Sequence, residues 1–277
     1  MPTSDPVTRA VAAVAVEVTK RDLLQQFVNH HALYHTIDRG VSSWSIPFLH
    51  VPWLDYFRLD QVMVPFSAFV VIVVALLARR GRGPVPTGLA NLLEAFVKFI
   101  RDQICVTFLG PADGVRLTPF FCSLFMFILA MNLLGVIPLF VVATSNISVT
   151  GALALVILGL MTVGTIARNG FVNFLKVFVM PGVPWPMQFL LVPMEFISMF
   201  TKCMALMIRL AANMLAGHIL LFTMVGMVFL FGWIALPAVV IAVALFFFEL
   251  FVIFFQAYIF TLLSAIFVGQ MFHPAHE

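Results

Sequence analysis

Two apolar stretches near the C-terminus, about 187–230 and 234–271, constrain the fold more than any other part of the chain. A helix crosses the hydrocarbon core of a bilayer in about 20 residues. Runs near twice that length must tilt strongly or extend beyond the bilayer. Only a short turn near Gly232 and Trp233 separates them, so they predict a long tilted helical hairpin. The rest of the chain agrees: 62% of the 277 residues are hydrophobic and 10% are charged, against about 25% charged in a soluble domain. The expected class is an all-α polytopic membrane protein. Its net charge of +3 comes from basic residues scattered near segment ends. These read as topology signals, with no nucleic-acid surface.

Three further spans are expected, at about 61–78, 117–141 and 147–167. Between the first two lies 88–110, with Leu89, Leu92, Leu93, Phe96, Phe99 and Ile100 on one face and Glu94, Lys98, Arg101 and Asp102 opposite. That pattern predicts an amphipathic helix on the membrane surface. The expectation is therefore five transmembrane helices plus one surface helix, organised as an N-terminal outer-side segment (1–58) and a membrane domain (59–277). Arg79, Arg80 and Arg82 follow the first span and Arg168 follows the third. By the positive-inside rule the N-terminus lies outside and the C-terminus inside. Gly159 and Gly164 are candidates for close helix approach, and 168–186, with three prolines, reads as a loop too broken to span. Residues 9–28 suggest a surface helix, and 41–60, rich in Trp and Pro, an interfacial loop. His31 and His35 have i,i+4 spacing but no evident third metal ligand. Cys105, Cys122 and Cys203 read as reduced packing residues.

Function is carried by polar groups inside the hairpin. On a helix Glu195, Ser198, Lys202, Arg209 and Asn213 fall close to one stripe, followed by His218; the last apolar stretch carries Glu249 and Gln256. Arg209 is the extreme case. A charged group at bilayer depth costs roughly 2.5–3.5 kcal/mol on insertion scales. A guanidinium cannot escape by discharging, because its pKa stays above about 12. Arg209 should therefore face a partner or water; the bland alternative is snorkelling to an interface.

By depth along the predicted spans, His218 and Glu249 meet in the outer half, Glu195 and Ser198 lie near the inner surface, and Arg209 falls between. Histidine and carboxylate groups relay protons, whereas a fixed cation repels hydronium. A proton would thus have to be carried past Arg209 by a carboxylic acid on a moving partner.

ALMIRLAANMLAGH (205–218), FFFELFVIFFQAYIFTLLSAIF (246–267), and FILAMNLLGVIP (127–138) with TSNISVT (144–150) resemble subunit a of the rotary F-type ATP synthase, the stator of the membrane Fo sector. The likeness covers roughly 60–270. It implies a proton-translocating, non-catalytic subunit with two offset half-channels, with the c-ring and the peripheral-stalk b subunits as partners and no cofactor. Arg209 would be the essential arginine facing the c-ring carboxylate, with Asn213 and Gln256 its polar neighbours. His218 and Glu249 would line the outer half-channel, Glu195 and Ser198 the inner one, with Lys202 beside them and Asn146 a minor outer contact. In some relatives the acid and the histidine at 218 and 249 are exchanged.

A sodium-coupled version of the same subunit, a secondary transporter and an inert scaffold are the rival readings. Transporters of that kind show internal repeats and broken midplane helices, and neither is evident. In a scaffold, nothing would offset the insertion cost of the buried Arg, His and Glu. The retained Met1 and the lack of an Arg-rich leader favour a bacterial inner membrane over the mitochondrial one.

Overall fold

The computed structural model describes residues 22, 59–80, 88–136, 142–179, 183–231 and 236–272. The expectations for 9–28 other than Asp22, for His31 and His35, for most of 41–60 and for the turn at 232–233 lie outside them. The described chain is helical. In order it forms α1 (Leu59–Arg80), α2 (Leu89–Phe99), a π-helical turn (Ile100–Cys105), α3 (Val106–Val136), a short 3-10 turn (Ala143–Ser145) and α4 (Ile147–Gly159). A second π-helical turn (Leu160–Gly164), α5 (Thr165–Asn169), α6 (Phe171–Val177), α7 (Trp185–Phe231) and α8 (Leu236–Phe272) complete it. Four stretches are long and apolar enough to cross a membrane: Ala90–Val136, Ile147–Asn169, Trp185–Leu221 and Val239–Phe272; Val62–Ala78 is a shorter apolar helix. The described residues divide into two compact units, 60–214 with 252–272, and 215–251.

In the larger unit the core is a set of helical stripes. Phe121, Phe125, Ile128 and Met131 of α3 are buried with Met199, Cys203, Leu206 and Leu210 of α7 and Ala257, Phe260, Ala265 and Val268 of α8. Steps of three and four keep each set on one face of its helix. In lipid, burial against another helix brings little hydrophobic gain, so close packing holds such stripes together. Gly269 shows how tight it is. A Cβ there would run into the carbonyl oxygen of Phe108, a backbone atom with little freedom to move. Gly164 similarly accommodates the Phe272 ring, which a Cβ would meet at 3.1 Å. Gly159 faces open space, so of the two glycines expected to admit a neighbour only Gly164 does so. Gly269→Val should therefore destabilise by about 1–3 kcal/mol or more, and Gly159→Ala should be near neutral. Thermal unfolding of the two variants in detergent checks this, and equal midpoints would contradict the packing.

Hydroxyls in the helices are satisfied locally, as a solvent without water demands. Ser67, Thr118, Thr165, Thr261 and Ser264 each donate to the carbonyl four residues back.

The segment read as a surface helix ends at Gly110, whose φ of 79° and ψ of 168° interrupt the helix before Pro111. Its polar residues are exposed as expected, and Lys98 Nζ pairs with Glu94 Oε1 at 2.7 Å. Its inward face differs from the expected one. Ile100, Ile104, Cys105 and Leu109 are buried, while Leu92 and Phe99 are 69% and 44% exposed. The π-helical turn adds a residue per turn and rotates the buried face toward the C-terminal end. Within the stretch read as a loop, Phe171–Val177 is helical: Gly170, with φ of 81°, ends α5 and starts α6.

The start of α3 and the ends of α5 and α8 gather together. Arg168 pairs with Asp113 and stacks 5.4 Å from the Phe272 ring, and Asn169 Nδ2 donates to the Phe272 carbonyl at 3.2 Å. These three termini share one side of the unit, in keeping with an even number of membrane crossings between Asp113 and the end of α8.

Candidate functional site

The polar residues of α7 lie along one flank of its buried stripe. Leu206, Leu210 and Met214 are 2%, 0% and 1% exposed, whereas Met204, Ala205, Ile208, Arg209 and Ala212 are exposed. Arg209 therefore points away from the core of its own unit. Among the described residues it has no ion pair and no hydrogen bond. Asn213, one turn on, is half-buried and equally without a hydrogen bond among them. The helix at this level carries alanine at 205, 211 and 212, so the guanidinium stands on a slim part of α7.

Toward the start of α7 the polar stripe is more crowded. Lys202 Nζ donates to Gln270 Oε1 of α8 at 3.1 Å, lies 3.9 Å from Glu195 Oε1 and sits 5.7 Å from the Phe267 ring. Ser198, between them and half-buried, makes no hydrogen bond among the described residues, unlike the hydroxyls that bond back to their own helices. On α8, Gln256 is 5% exposed and flanked by the buried Ile253, Ala257 and Phe260. It too has no hydrogen bond among the described residues. Val142, Met214 and Ile253 form a separate buried apolar cluster, with Leu129 and Val136 against it.

The smaller unit holds the other expected pair. His218 Nε2 and Glu249 Oε1 are 3.6 Å apart, with side chains 6% and 7% exposed. Both oxygens of Glu249 are buried without a hydrogen bond among the described residues. The approach depends on Gly217, where a Cβ would lie 2.8 Å from Glu249 Oε1. The helices are close here because residue 217 has no side chain, a reason the sequence pattern alone did not reveal.

The structure thus brings His218 to Glu249 and Lys202 to Glu195, and places Arg209, Asn213, Gln256 and Ser198 without such partners among the described residues. Asn146 caps α4, its Oδ1 accepting from Ser148 N at 2.9 Å. Asn132, a lone polar residue in its span, is fully buried and accepts from Thr144 Oγ1 at 2.7 Å, tying the 3-10 turn to α3. Its Nδ2 has no hydrogen-bond partner among the described residues. Sequence reasoning missed Gln270 and Asp113. Each is an ordinary polar residue at a helix end, and only long-range packing reveals its cationic partner.

These features define a multi-pass, all-α membrane protein whose apolar helices carry ionisable groups. The chain belongs to the ATP synthase A chain family, whose model matches residues 61–269. It is 39% identical over 256 residues to the ATP synthase subunit a of Anaeromyxobacter sp. (strain Fw109-5), covering 88% of this chain and 60% of that one. To the ATP synthase subunit a of Myxococcus xanthus (strain DK1622) it is 44% identical over 196 residues, 70% of this chain and 64% of the other. A third relative, the ATP synthase subunit a of Chloroherpeton thalassium, is 36% identical over 261 residues, with coverage of 89% and 77%. The chain spans less than two thirds of the length of the first two of these relatives.

Proposed function

We propose that this chain is the proton-translocating stator subunit of a rotary ATP synthase, itself without catalytic activity, and that it works against a ring of c subunits in the membrane. The observation that carries the reading is Arg209: a permanent cation near the middle of a 47-residue apolar helix, exposed and without an ion pair among the described residues. A guanidinium in that position calls for an anion from outside the chain. A carboxylate on each ring subunit answers that need and leaves again as the ring turns.

In this reading His218 and Glu249 take up protons in the outer half-channel. Asn213 and Gln256 are polar neighbours of the arginine. Glu195 and Ser198 belong to the inner half-channel, with Lys202 beside them. The lone Ser198 hydroxyl supports this, since an unsatisfied hydroxyl in an apolar helix calls for water. The buried His218–Glu249 pair supports protons over sodium, because imidazole and carboxylate exchange protons readily. Peripheral-stalk b subunits are the other expected partners, and the bacterial relatives support a bacterial inner membrane. The basic residues after α1 and α4 support an outer N-terminus and an inner C-terminus.

The test is face-specific crosslinking. In a cysteine-free background, Ile208→Cys (exposed) should crosslink to a co-purifying ring of small hairpin proteins bearing a mid-membrane Asp or Glu. Leu210→Cys (buried) should not. If neither position reaches such a ring, or both do equally, the assignment fails.

A further inference from the structure

Near the start of α7 a cation is bonded to a neutral group while an anion stands beside it. Lys202 Nζ donates to Gln270 Oε1 of α8 at 3.1 Å, whereas Glu195 Oε1, about two turns back on the same helix, is 3.9 Å away. An ammonium bonded directly to a carboxylate comes to about 2.7–2.9 Å. Glu195 is therefore left out of bonding range, and the amide oxygen is taken instead. The Phe267 ring, 5.7 Å from the ammonium, gives it a second hold. Lysine carries its charge on a flexible four-carbon stem. A stem of that kind can close the remaining gap to Glu195, and the hold that keeps it back comes from α8.

That end of α8 is not left to fray, as helix ends commonly do. Gly269 packs against the Phe108 carbonyl, where a Cβ would not fit, and the Phe272 carbonyl accepts from Asn169 Nδ2 at 3.2 Å. The Arg168 guanidinium lies over the Phe272 ring. Gln270 thus stands between two fixed neighbours in the last turn. It is itself exposed, so its side chain contributes this bond and no core packing.

We infer that Gln270 is a positioning residue for proton transfer at Glu195. Its oxygen draws the Lys202 ammonium away from a direct bond with the carboxylate and leaves Glu195 free to accept and pass on a proton. A carboxylate held in a direct charge-assisted bond must break it first. A neutral amide restrains the lysine without cancelling its charge. This part rests on the reading of Glu195 as a member of the inner half-channel.

Gln270→Leu removes the acceptor, and Gln270→Glu keeps one. In inverted vesicles carrying the whole complex, pumping should fall by about two- to fivefold in Gln270→Leu, the range an exposed ion pair spans, and stay near normal in Gln270→Glu. Gln270→Leu combined with Lys202→Leu should pump no worse than Lys202→Leu alone, because the two side chains act as one unit. A loss from weakened packing would add instead. A second measurement does not depend on transport. In a cysteine-free complex carrying Glu195→Cys, the introduced thiol should react with iodoacetamide several-fold faster once Gln270→Leu is added, since an ammonium closing on it favours the thiolate. Lys202→Leu should abolish that increase. Unchanged labelling overturns the positioning, whatever the pumping does. Faster labelling with normal pumping overturns the place of Glu195 in the inner half-channel, and with it the part of Gln270 in proton transfer. Equal pumping losses in Gln270→Leu and Gln270→Glu overturn the need for an acceptor and so the proposal.

Discussion

Arg209→Ala is expected to abolish ATP-driven proton pumping and ATP synthesis while the complex still assembles. A ring carboxylate facing the guanidinium should have its pKa lowered by about 1–3 units, which is roughly 1.4–4 kcal/mol toward releasing its proton. The membrane potential supplies about 2.3 kcal/mol per proton at 100 mV. The two are of similar size, so losing the first removes the step that makes each proton leave on one side. The substitution also deletes the fixed charge between the two proposed water passages, so passive proton leakage should rise. Arg209→Lys should recover little, because an ammonium lacks the planar fork and discharges more readily in apolar surroundings. Fluorescence-quench pumping and leak assays in inverted membrane vesicles read both effects. Normal pumping by Arg209→Ala vesicles would refute the role proposed here.

The second large effect is expected at Glu249. Glutamine there keeps the shape but cannot exchange a proton, and removing a positioned acid or base typically costs 10²–10⁴-fold in a proton-transfer step. Glu249 is buried beside His218 with both carboxylate oxygens shielded from solvent, so water cannot readily take its place. Glu195 is 40% exposed on its side chain and sits by Lys202. Solvent can substitute for it, and an exposed pair of that kind contributes at most about 1 kcal/mol. Proton uptake in Glu249→Gln vesicles should therefore fall by at least about tenfold, and in Glu195→Gln vesicles by only a few-fold. Equal or reversed losses would undo the proposed order of the two passages. Gly217→Val should resemble Glu249→Gln, since its side chain would displace the carboxylate.

Much of this was legible in the sequence, because lipid makes periodicity and length unusually informative. The hairpin expected at 187–230 and 234–271 is found at Trp185–Phe231 and Leu236–Phe272. The third span, expected at 147–167, runs from Ile147 to Asn169 with a π-helical turn inside. What the sequence hid depends on local backbone detail or on distant contacts. A π-helical turn at 100–105 moved the buried face of the surface helix onto Ile104 and Leu109. Two positive-φ glycines, Gly110 and Gly170, divided helices where composition showed no clean edge. The proximity of His218 and Glu249 was expected from depth alone. The bare backbone at Gly217 that permits it, and the reach of Lys202 to Gln270, are consequences of three-dimensional packing.

The outward placement of Arg209 also bears on biogenesis. A newly inserted copy, before it meets any other subunit, presents a guanidinium to hydrocarbon at a cost of roughly 2.5–3.5 kcal/mol. Docking against the proposed ring would remove the penalty. In the role proposed for it, this side chain makes the solitary polypeptide the less durable form, and gives membrane proteases a physical basis for clearing surplus copies.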